Sequence, residues 1–415
     1  MISFRRYLHH LEKTIVLLSI VIIFVITFLI TTTEFFKGYM EHNGPDIIHI
    51  DSFIYNIVLS PDNKHMAITY VEKGLSSIYI GNIDGTNIRL LTTQRPQGSQ
   101  HRPLFLPEGS KILFLSDRSL LTCNIDGSNL KRVANLNLDR EHSFFNFILS
   151  RDGKRILFIS NPSQKAKPQS ELHIMNADGS GQTKLTSFGE YITEAIFSPD
   201  MKKIYFLKSV FYGHYSPIAP SFSHAFDIFS INIDGSGLKQ ITHNKAYRME
   251  GLSFVQDGKK LFYNDARSFK LIELDHPQEV RNINPSSEKT NISTTKNPKK
   301  AEDAMDLSRP LVSPDGKKIA FTAAVKEGLP NIRGRFQYEM FIMDMNARKV
   351  TQLTRLGFNS TARAFTPDSK RIIFANNVAW PRPQQINRWM IINTDGTDLH
   401  VIDMPTKDQC PSNKP

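Results

Sequence analysis

Short apolar runs separated by polar turns recur along most of the chain. The runs are rich in Ile, Leu, Phe and Tyr, as in residues 112–115 (Ile-Leu-Phe-Leu), 156–159 (Ile-Leu-Phe-Ile) and 204–207 (Ile-Tyr-Phe-Leu). Aromatic and β-branched residues in short runs, bounded by turn residues, favour β-strands over helices. The pattern therefore predicts an all-β protein built from short strands.

One type of turn precedes these runs and occurs seven times. Its fullest copy is Ser313-Pro314-Asp315-Gly316-Lys317. The acidic residues at the same position of the other copies are Asp62, Glu108, Asp152, Asp200, Asp257 and Asp368. Because the turn returns along the whole chain, the sequence predicts a repeat architecture of the propeller or solenoid kind.

A second turn, Asn-x-Asp-Gly, closes another apolar run in each repeat. Its acidic residues are Asp84, Asp126, Asp178, Asp234 and Asp395, with diverged copies at Asp275 and Asn346. The run that follows always ends eight residues later, as from Asp84 to Thr92. A constant spacing is typical of a tight hairpin, in which the turn determines the strand register.

Each repeat therefore supplies four antiparallel strands, two around each turn. Four-stranded units repeated about an axis form a β-propeller. Seven copies of each turn favour seven blades, whereas the diverged fifth repeat leaves six blades as the alternative. Residues 284–309, between the fifth and sixth repeats, are polar and are expected to form a flexible insertion.

The two turns, followed by Leu-Thr or Ile-Thr, resemble the repeat of the TolB-like, WD-like β-propellers. Thr92, Thr186, Thr242 and Thr354 stand at that ending. The resemblance covers roughly residues 46–404 and implies the propeller fold. It does not imply one function, since propellers include binding platforms, lyases and the gating domains of serine peptidases. TolB itself carries an α/β domain before its propeller, which we do not expect here.

An uncharged apolar stretch occupies residues 14–33 and has the length of a transmembrane helix. Basic residues precede it and Glu34 follows it, so the amino terminus (1–13) is predicted to be cytoplasmic. A linker (34–45) then leads to a propeller (46–404) in the periplasm or outside, with a tail at 405–415. A cleaved signal peptide is the alternative, although the stretch is long for one and lacks Ala-x-Ala.

The net charge of +11 does not by itself indicate a partner. Many basic residues lie in the repeated exposed turns, such as Lys64, Lys154 and Lys317. Together with the expected location outside the cytoplasm, this argues against binding of nucleic acid. Of the two cysteines, Cys123 is expected to be a buried apolar residue, and its pairing with Cys410 is left open.

Connections of variable length are predicted to share one face of the propeller. The distance between the two turns of a repeat ranges from 18 to 34 residues, and repeat proteins concentrate such insertions on their binding face. At the mouth of the central channel on that face, the candidate binding residues are Arg102, Asn146, Glu194 and Arg309. In the insertions, the candidates are Tyr212, His214, Tyr215, Arg333, Arg335, Trp380 and Arg382.

Motifs for catalysis are sparse. The sequence has no Gly-x-Ser-x-Gly and no His-Glu-x-x-His, so we expect neither a serine peptidase nor a familiar zinc site. The favoured function is a membrane-anchored, non-enzymatic scaffold without a cofactor that binds an envelope protein or glycan. The alternative comes from the resemblance, because some similar seven-bladed propellers are polysaccharide lyases, and it is an oligouronate lyase that uses a divalent metal. The histidines predicted to lie on the variable face, from which the metal ligands of such an enzyme would come, are His101, His142, His214, His224 and His243.

Overall fold

The structure is a computed structural model that describes residues 52–404 apart from several segments. Those segments are 93–99, 117–118, 136–141, 163–168, 187–190, 215–220, 257, 266–267, 286–306, 326–336, 347–348 and 379–385. The described residues contain strands, turns and irregular segments and no helix. The prediction of an all-β protein is confirmed.

The first five sheets are antiparallel and have four strands each, paired in chain order. The first sheet comprises β1 (Ser52–Leu59), β2 (His65–Glu72), β3 (Leu75–Asn82) and β4 (Arg89–Leu90). The second comprises β5 (Gln100–Phe105), β6 (Lys111–Ser116), β7 (Ser119–Asn124) and β8 (Lys131–Asn135). The third comprises β9 (His142–Leu149), β10 (Arg155–Pro162), β11 (Glu171–Asn176) and β12 (Thr183–Lys184). The fourth comprises β13 (Tyr191–Phe197), β14 (Lys203–His214), β15 (Ser221–Asn232) and β16 (Lys239–Gln240). The fifth comprises β17 (Glu250–Val255), β18 (Lys260–Asn264), β19 (Phe269–Glu273) and β20 (Val280–Asn282).

The remaining eight strands form one sheet that repeats the same pattern twice. Its first half comprises β21 (Leu307–Val312), β22 (Lys318–Ala324), β23 (Tyr338–Asp344) and β24 (Val350–Gln352). Its second half comprises β25 (Asn359–Phe365), β26 (Arg371–Asn377), β27 (Asn387–Asn393) and β28 (His400–Val401). The halves are joined by a single parallel pair, Tyr338 with Asn359. We therefore treat the halves as the sixth and seventh four-stranded groups.

The repeated Ser-Pro-Asp turn is held by a small set of hydrogen bonds. In the third group, the Ser150 hydroxyl donates to Asp152 at 2.6 Å and accepts from the Arg155 backbone N–H at 2.8 Å. The Lys154 N–H donates to the same carboxylate. The Ser150 bond and the Lys154 N–H lower the pKa of Asp152. The same bonds recur around Asp62, Asp200, Asp315 and Asp368.

The Asp-Gly turn has an equally local explanation. Asp178 accepts from both the N–H and the hydroxyl of Ser180, at 2.9 and 2.7 Å. Gly179 has a φ of +86°, and a Cβ there would lie 2.6 Å from the Val133 carbonyl oxygen of the preceding sheet. A left-handed turn in this position therefore requires glycine. This accounts for the constant spacing seen in the sequence.

Apolar clusters between neighbouring groups form the core. Seven such clusters are found among the described residues, and each contains side chains from two groups. Six of them join groups that follow one another in the sequence, and the seventh joins the first group to the last. Cys123 is 2% exposed and packs in the cluster between the first and second groups, as its position in the repeat predicted. Burial raises the pKa of its thiol to about 11.

The contact between the first and last groups combines packing with a hydrogen bond. Ile54 and Ile57 of β1 pack with Ile373 and Trp389 of the seventh group. Trp389 is 2% exposed, and its indole N–H donates to the Ile54 carbonyl at 2.9 Å. A buried tryptophan N–H is costly without a partner, so this bond specifies how the two groups meet.

The threonine that ends the repeat motif secures a buried acid. Thr354 donates to the Glu339 carboxylate at 2.5 Å and accepts from the Met340 N–H at 2.8 Å. Glu339 also accepts from the Gly357 N–H, and it is 2% exposed. Thr242 binds Asp227 in the same way in the fourth group. Each of these two threonines thus ties the segment after the outer strand of its group to the third strand.

The predicted membrane segment, residues 14–33, lies outside the described residues. The described part of the chain contains no helix long and apolar enough to cross a bilayer. The linker, the C-terminal tail, Cys410 and most of the insertion at 284–309 also lie outside it.

We expect Thr354→Val to lower the free energy of unfolding by about 1–3 kcal/mol, because a buried carboxylate and a buried N–H each lose a partner. Chemical denaturation measures this change. Thr351→Val is the matched control, since Thr351 is exposed in β24, three residues before Thr354, and its replacement should change stability by less than about 0.5 kcal/mol. Equal stability of both variants would contradict the role given to Thr354.

Candidate functional site

The first strand of every group carries a β-bulge five to seven residues before the acidic residue of the turn that follows it. In β1 the extra residue is Tyr55, between Ile54 (paired with Tyr70) and Asn56 (paired with Thr69). The other bulges interrupt β5, β9, β13, β17, β21 and β25. A bulge leaves its extra residue unpaired and redirects its side chain, and bulges are common beside active sites.

A cavity of about 990 Å³ lies where these seven first strands meet. We call it the central cavity. Its lining includes side chains from all seven groups. The charged ones are Arg102, Glu194, Glu250, Arg309 and Arg363, and Phe53, Tyr55, Ile148, Leu252 and Leu311 are among the others. Phe53 and Tyr55 are 38% and 60% exposed, so the cavity offers apolar surface as well as charge.

The two acids of the cavity bind the backbone of the neighbouring bulges. Glu194 accepts from the N–H groups of Gly251 and Leu252, at 3.0 and 2.9 Å. Glu250 in turn accepts from the Arg309 N–H at 2.8 Å and pairs with Arg248. Each carboxylate therefore holds the bulge of the next group in place.

Gly251 shows how closely these bulges approach one another. Its φ is +73°, and a Cβ on it would lie 2.6 Å from the ring of Pro310 in the sixth group. Arg309 itself has a φ of +50° and Arg102 one of +55°. Positive φ angles are uncommon outside glycine, and they are concentrated at sites where the surrounding structure holds the backbone.

Electrostatic effects differ between the acids and the arginines. Burial raises the pKa of Glu194, and the N–H groups of Leu252 and Gly251 oppose that rise. Burial lowers the pKa of Arg102. Burial also lowers the pKa of Arg363, and the positive charge of Arg309 lowers it further. Arg102 and Arg363 are thus partly desolvated, and Arg309 and Arg363 repel each other.

The residues predicted from the sequence divide into three sets. Arg102, Glu194 and Arg309 all line the central cavity. Asn146 lies at the bulge of β9, and Tyr212 and His214 lie in β14, but their side chains are outside the described part. The remaining candidates lie outside the described residues altogether, and they are Tyr215, Arg333, Arg335, Trp380 and Arg382.

Sequence reasoning missed Tyr55 and Arg363 as cavity residues. The sequence prediction took the residue six positions before the acidic residue of each Ser-Pro-Asp turn, which is Ala362 in the seventh group. The bulge places the unpaired residue one position later, at Arg363. A bulge leaves no reliable mark in the pattern of apolar residues, so counting could not reveal this shift.

A serine, a histidine and a glutamate meet in the third group, but they do not form a catalytic triad. His173 Nε2 lies 2.9 Å from Glu171 and 3.1 Å from Ser160. In a triad, the two ring nitrogens of histidine face different partners. Here both contacts involve the same nitrogen, Ser160 is fully buried, and the ring stacks on Phe158. The cluster therefore contributes to the core.

The histidines expected for a metal-dependent lyase are not brought together in the described residues. No group of three or more His, Cys, Asp or Glu that could hold a metal ion is found there. Of the five histidines, the side chains of His101, His224 and His243 are described, and they lie in or after three different strands: β5, β15 and β16.

Curated relatives of the chain are peptidases. Dipeptidyl-peptidase 5 of Porphyromonas endodontalis is 25% identical over 269 residues, which is 54% of this chain and 35% of that protein. Dipeptidyl-peptidase 5 of Porphyromonas gingivalis is 26% identical over 293 residues, which is 62% of this chain and 40% of that protein. The chain thus matches well under half the length of these relatives. No protein-family model matches it.

Solved structures share the fold at low sequence identity. A puromycin-hydrolyzing peptidase of Mycobacterium tuberculosis aligns with a TM-score of 0.58 and 10% identity, covering 86% of this chain and 54% of that one. An oligogalacturonate lyase of Vibrio parahaemolyticus aligns with a TM-score of 0.55 and 12% identity, covering 79% and 87%. A putative TolB of Agrobacterium tumefaciens is also similar, with a TM-score of 0.40 and 21% identity over 71% and 94%. These likenesses concern the fold alone.

Two expectations from the sequence are wrong in the light of these matches. The chain was expected to be a non-enzymatic scaffold, with a polysaccharide lyase as the alternative. The curated relatives are dipeptidyl-peptidases, so they point to peptide hydrolysis and away from both. That reasoning had excluded a serine peptidase because the sequence has no Gly-x-Ser-x-Gly.

We expect Glu194 to make stability depend on pH in a defined direction. The pKa of Glu194 is raised in the folded protein. Its contribution to the free energy of unfolding is therefore complete below its usual pKa of 4.5, and that contribution is lost as the pH rises through the pKa of the folded state. Glu194→Gln removes the titration but disturbs one N–H bond, at a cost of about 1–3 kcal/mol. The stability gap between the wild type and this variant should therefore narrow as the pH rises above 4.5.

Denaturation at several pH values measures that gap. Glu279→Gln provides the control, because Glu279 is exposed and lies away from the cavity. A gap that stays constant or widens with increasing pH would show that burial does not raise the pKa of Glu194.

Proposed function

We propose that the protein functions in peptide hydrolysis and that its central cavity receives the peptide substrate. The observation that carries this proposal is the position of the cavity. It lies where first strands from all seven groups meet, and those strands belong to a chain whose curated relatives are dipeptidyl-peptidases.

The properties of the cavity suit a small peptide. Its volume of about 990 Å³ is at the upper end of the range for ligand pockets, roughly 300–1,000 Å³. Such pockets combine apolar walls with a few placed polar groups. Here Phe53, Tyr55 and Leu252 supply apolar surface, and arginine and glutamate side chains supply the polar groups.

Substrate binding is the role that this proposal gives to the described residues. None of them is assigned as a nucleophile. Ser160 is buried with His173 in the core, and the sequence has no Gly-x-Ser-x-Gly. Positioning of a substrate contributes strongly to hydrolysis even where the reacting groups lie elsewhere, because it converts a bimolecular encounter into an oriented one.

The test uses the full-length protein, isolated from its source together with the proteins that copurify with it. Peptides and dipeptidyl arylamides are supplied, and hydrolysis is followed by mass spectrometry and by arylamine release. We expect cleavage by the wild type. Asn56 lines the cavity, so Asn56→Trp should obstruct it and raise KM by about tenfold or more, which corresponds to about 1.4 kcal/mol of binding.

Thr351→Trp is the matched control, since Thr351 is exposed on an outer strand and does not line the cavity. It should leave KM unchanged. The proposal fails if the wild type cleaves no peptide, or if Asn56→Trp has the same kinetics as the wild type while remaining folded.

We further propose that the fold is a seven-bladed propeller with a TolB-like repeat. Support comes from the seven clusters, which link the groups in a closed cycle, and from the Trp389 bond between the first and last groups. Projection images of the particle along its axis by electron microscopy give the number of blades. Six blades would contradict the proposal.

We also propose that residues 14–33 anchor the protein in the inner membrane with the propeller outside the cytoplasm. The support is the uncharged apolar stretch and the basic residues before it. External protease acting on intact cells whose outer layers have been made permeable should digest the propeller. Full protection of the propeller would contradict this orientation.

A further inference from the structure

Three arginines give the central cavity a positive side. Arg102, Arg309 and Arg363 come from the second, sixth and seventh groups. Against them stand two acids, Glu194 and Glu250, so three positive and two negative charges leave the lining with a net charge of +1. The functional question is whether these charges neutralise each other.

The acids are bound to groups other than these guanidinium groups. Both oxygens of Glu194 accept backbone N–H groups of the fifth group. Glu250 accepts the backbone N–H of Arg309 and the Asn264 amide, and it forms an ion pair with Arg248, which does not line the cavity. The carboxylates are therefore used to hold the backbone, and Arg248 already balances one of them.

Arg309 and Arg363 are held in place by contacts that leave their charge available. Arg363 lies over the ring of Trp389, with 5.9 Å between its guanidinium carbon and the ring centroid. The backbone of Arg309 is fixed through Glu250. Within the described part of the chain, neither the Arg309 nor the Arg363 guanidinium forms an ion pair. Guanidinium groups prefer planar anions that they can bind with two hydrogen bonds, such as carboxylates.

An anion would relieve an unfavourable arrangement. Arg363 is partly desolvated and experiences the positive charge of Arg309, and both effects lower its pKa. A negative charge between the two would reverse the repulsion and replace lost solvation. A ligand that also had an apolar part would find Tyr55 and Leu311 beside these arginines.

We propose that the central cavity selects peptides that carry a carboxylate, which Arg309 and Arg363 bind and Arg102 helps to attract. This inference rests on the proposed function and specifies its substrate class as peptides that present a carboxylate. The carboxylate belongs either to an acidic side chain or to the carboxyl terminus of the peptide. The two sources share the same chemistry at the arginines, and they are separated by the choice of peptide.

The test is isothermal titration calorimetry of the full-length protein with three peptides. They are Ala-Ala-Glu-Ala-Ala with an amidated end, Ala-Ala-Gln-Ala-Ala with an amidated end, and the Gln peptide with a free carboxylate. We expect the first or the third to bind about tenfold more tightly than the amidated Gln peptide. Preference for the first identifies a side-chain carboxylate, and preference for the third identifies a terminal one.

Variants then locate the preference. Arg309→Gln combined with Arg363→Gln should abolish it, and Arg309→Gln alone should reduce it. Arg151→Gln is the matched control, because Arg151 is exposed in a repeat turn and does not line the cavity. It should retain the full preference. Since Arg309 is exposed, the single variant is expected to fold even if the double variant does not.

Two results would overturn this inference, and they differ from failure of the proposed function. Equal binding of all three peptides by the wild type would show that the protein binds peptides without selecting for a carboxylate. A preference that persists in Arg309→Gln and in the folded double variant would place the carboxylate elsewhere. If none of the peptides is bound or cleaved, the proposed function itself fails.

Discussion

Packing of one four-stranded group against the next is the interaction on which the rest of the structure depends. A four-stranded sheet has two faces and cannot bury both by itself, so repeat proteins gain stability from the contacts between units. Here each group contributes side chains to clusters on both of its sides. The cluster that contains Ile54 and Trp389 packs the first group against the last in the same way that the other clusters pack groups that are neighbours in the sequence.

This packing brings seven first strands together and so creates the setting for a site. Strands that converge need a way to accommodate crowding, and the bulge in each first strand supplies it. The bulged backbone offers N–H groups that are not used within the sheets. Glu194 and Glu250 accept them across the boundaries between groups, and Arg309 and Arg363 contribute positive charge to the cavity.

Features that depend on local bonding could be predicted from the sequence. The turn at Asp152 uses residues at most five positions apart, and the strands around it follow directly. Counting from the turns also identified Arg102 and Glu194 as residues of the cavity. The link from Glu194 to Gly251 spans 57 residues and joins two groups, so no local pattern contains it. Arg363 was missed for the related reason that a bulge moves the register by one residue.

Hydrogen exchange of the full-length protein with and without the peptide Ala-Ala-Glu-Ala-Ala amide tests the central claim most directly, because it shows where a peptide is bound. The account predicts slower exchange in the bulged parts of the first strands, such as residues 250–253, 308–311 and 362–364, and no change in the turns around Asp152 and Asp178. Protection confined to those turns, with unchanged exchange around Arg309 and Arg363, would contradict it.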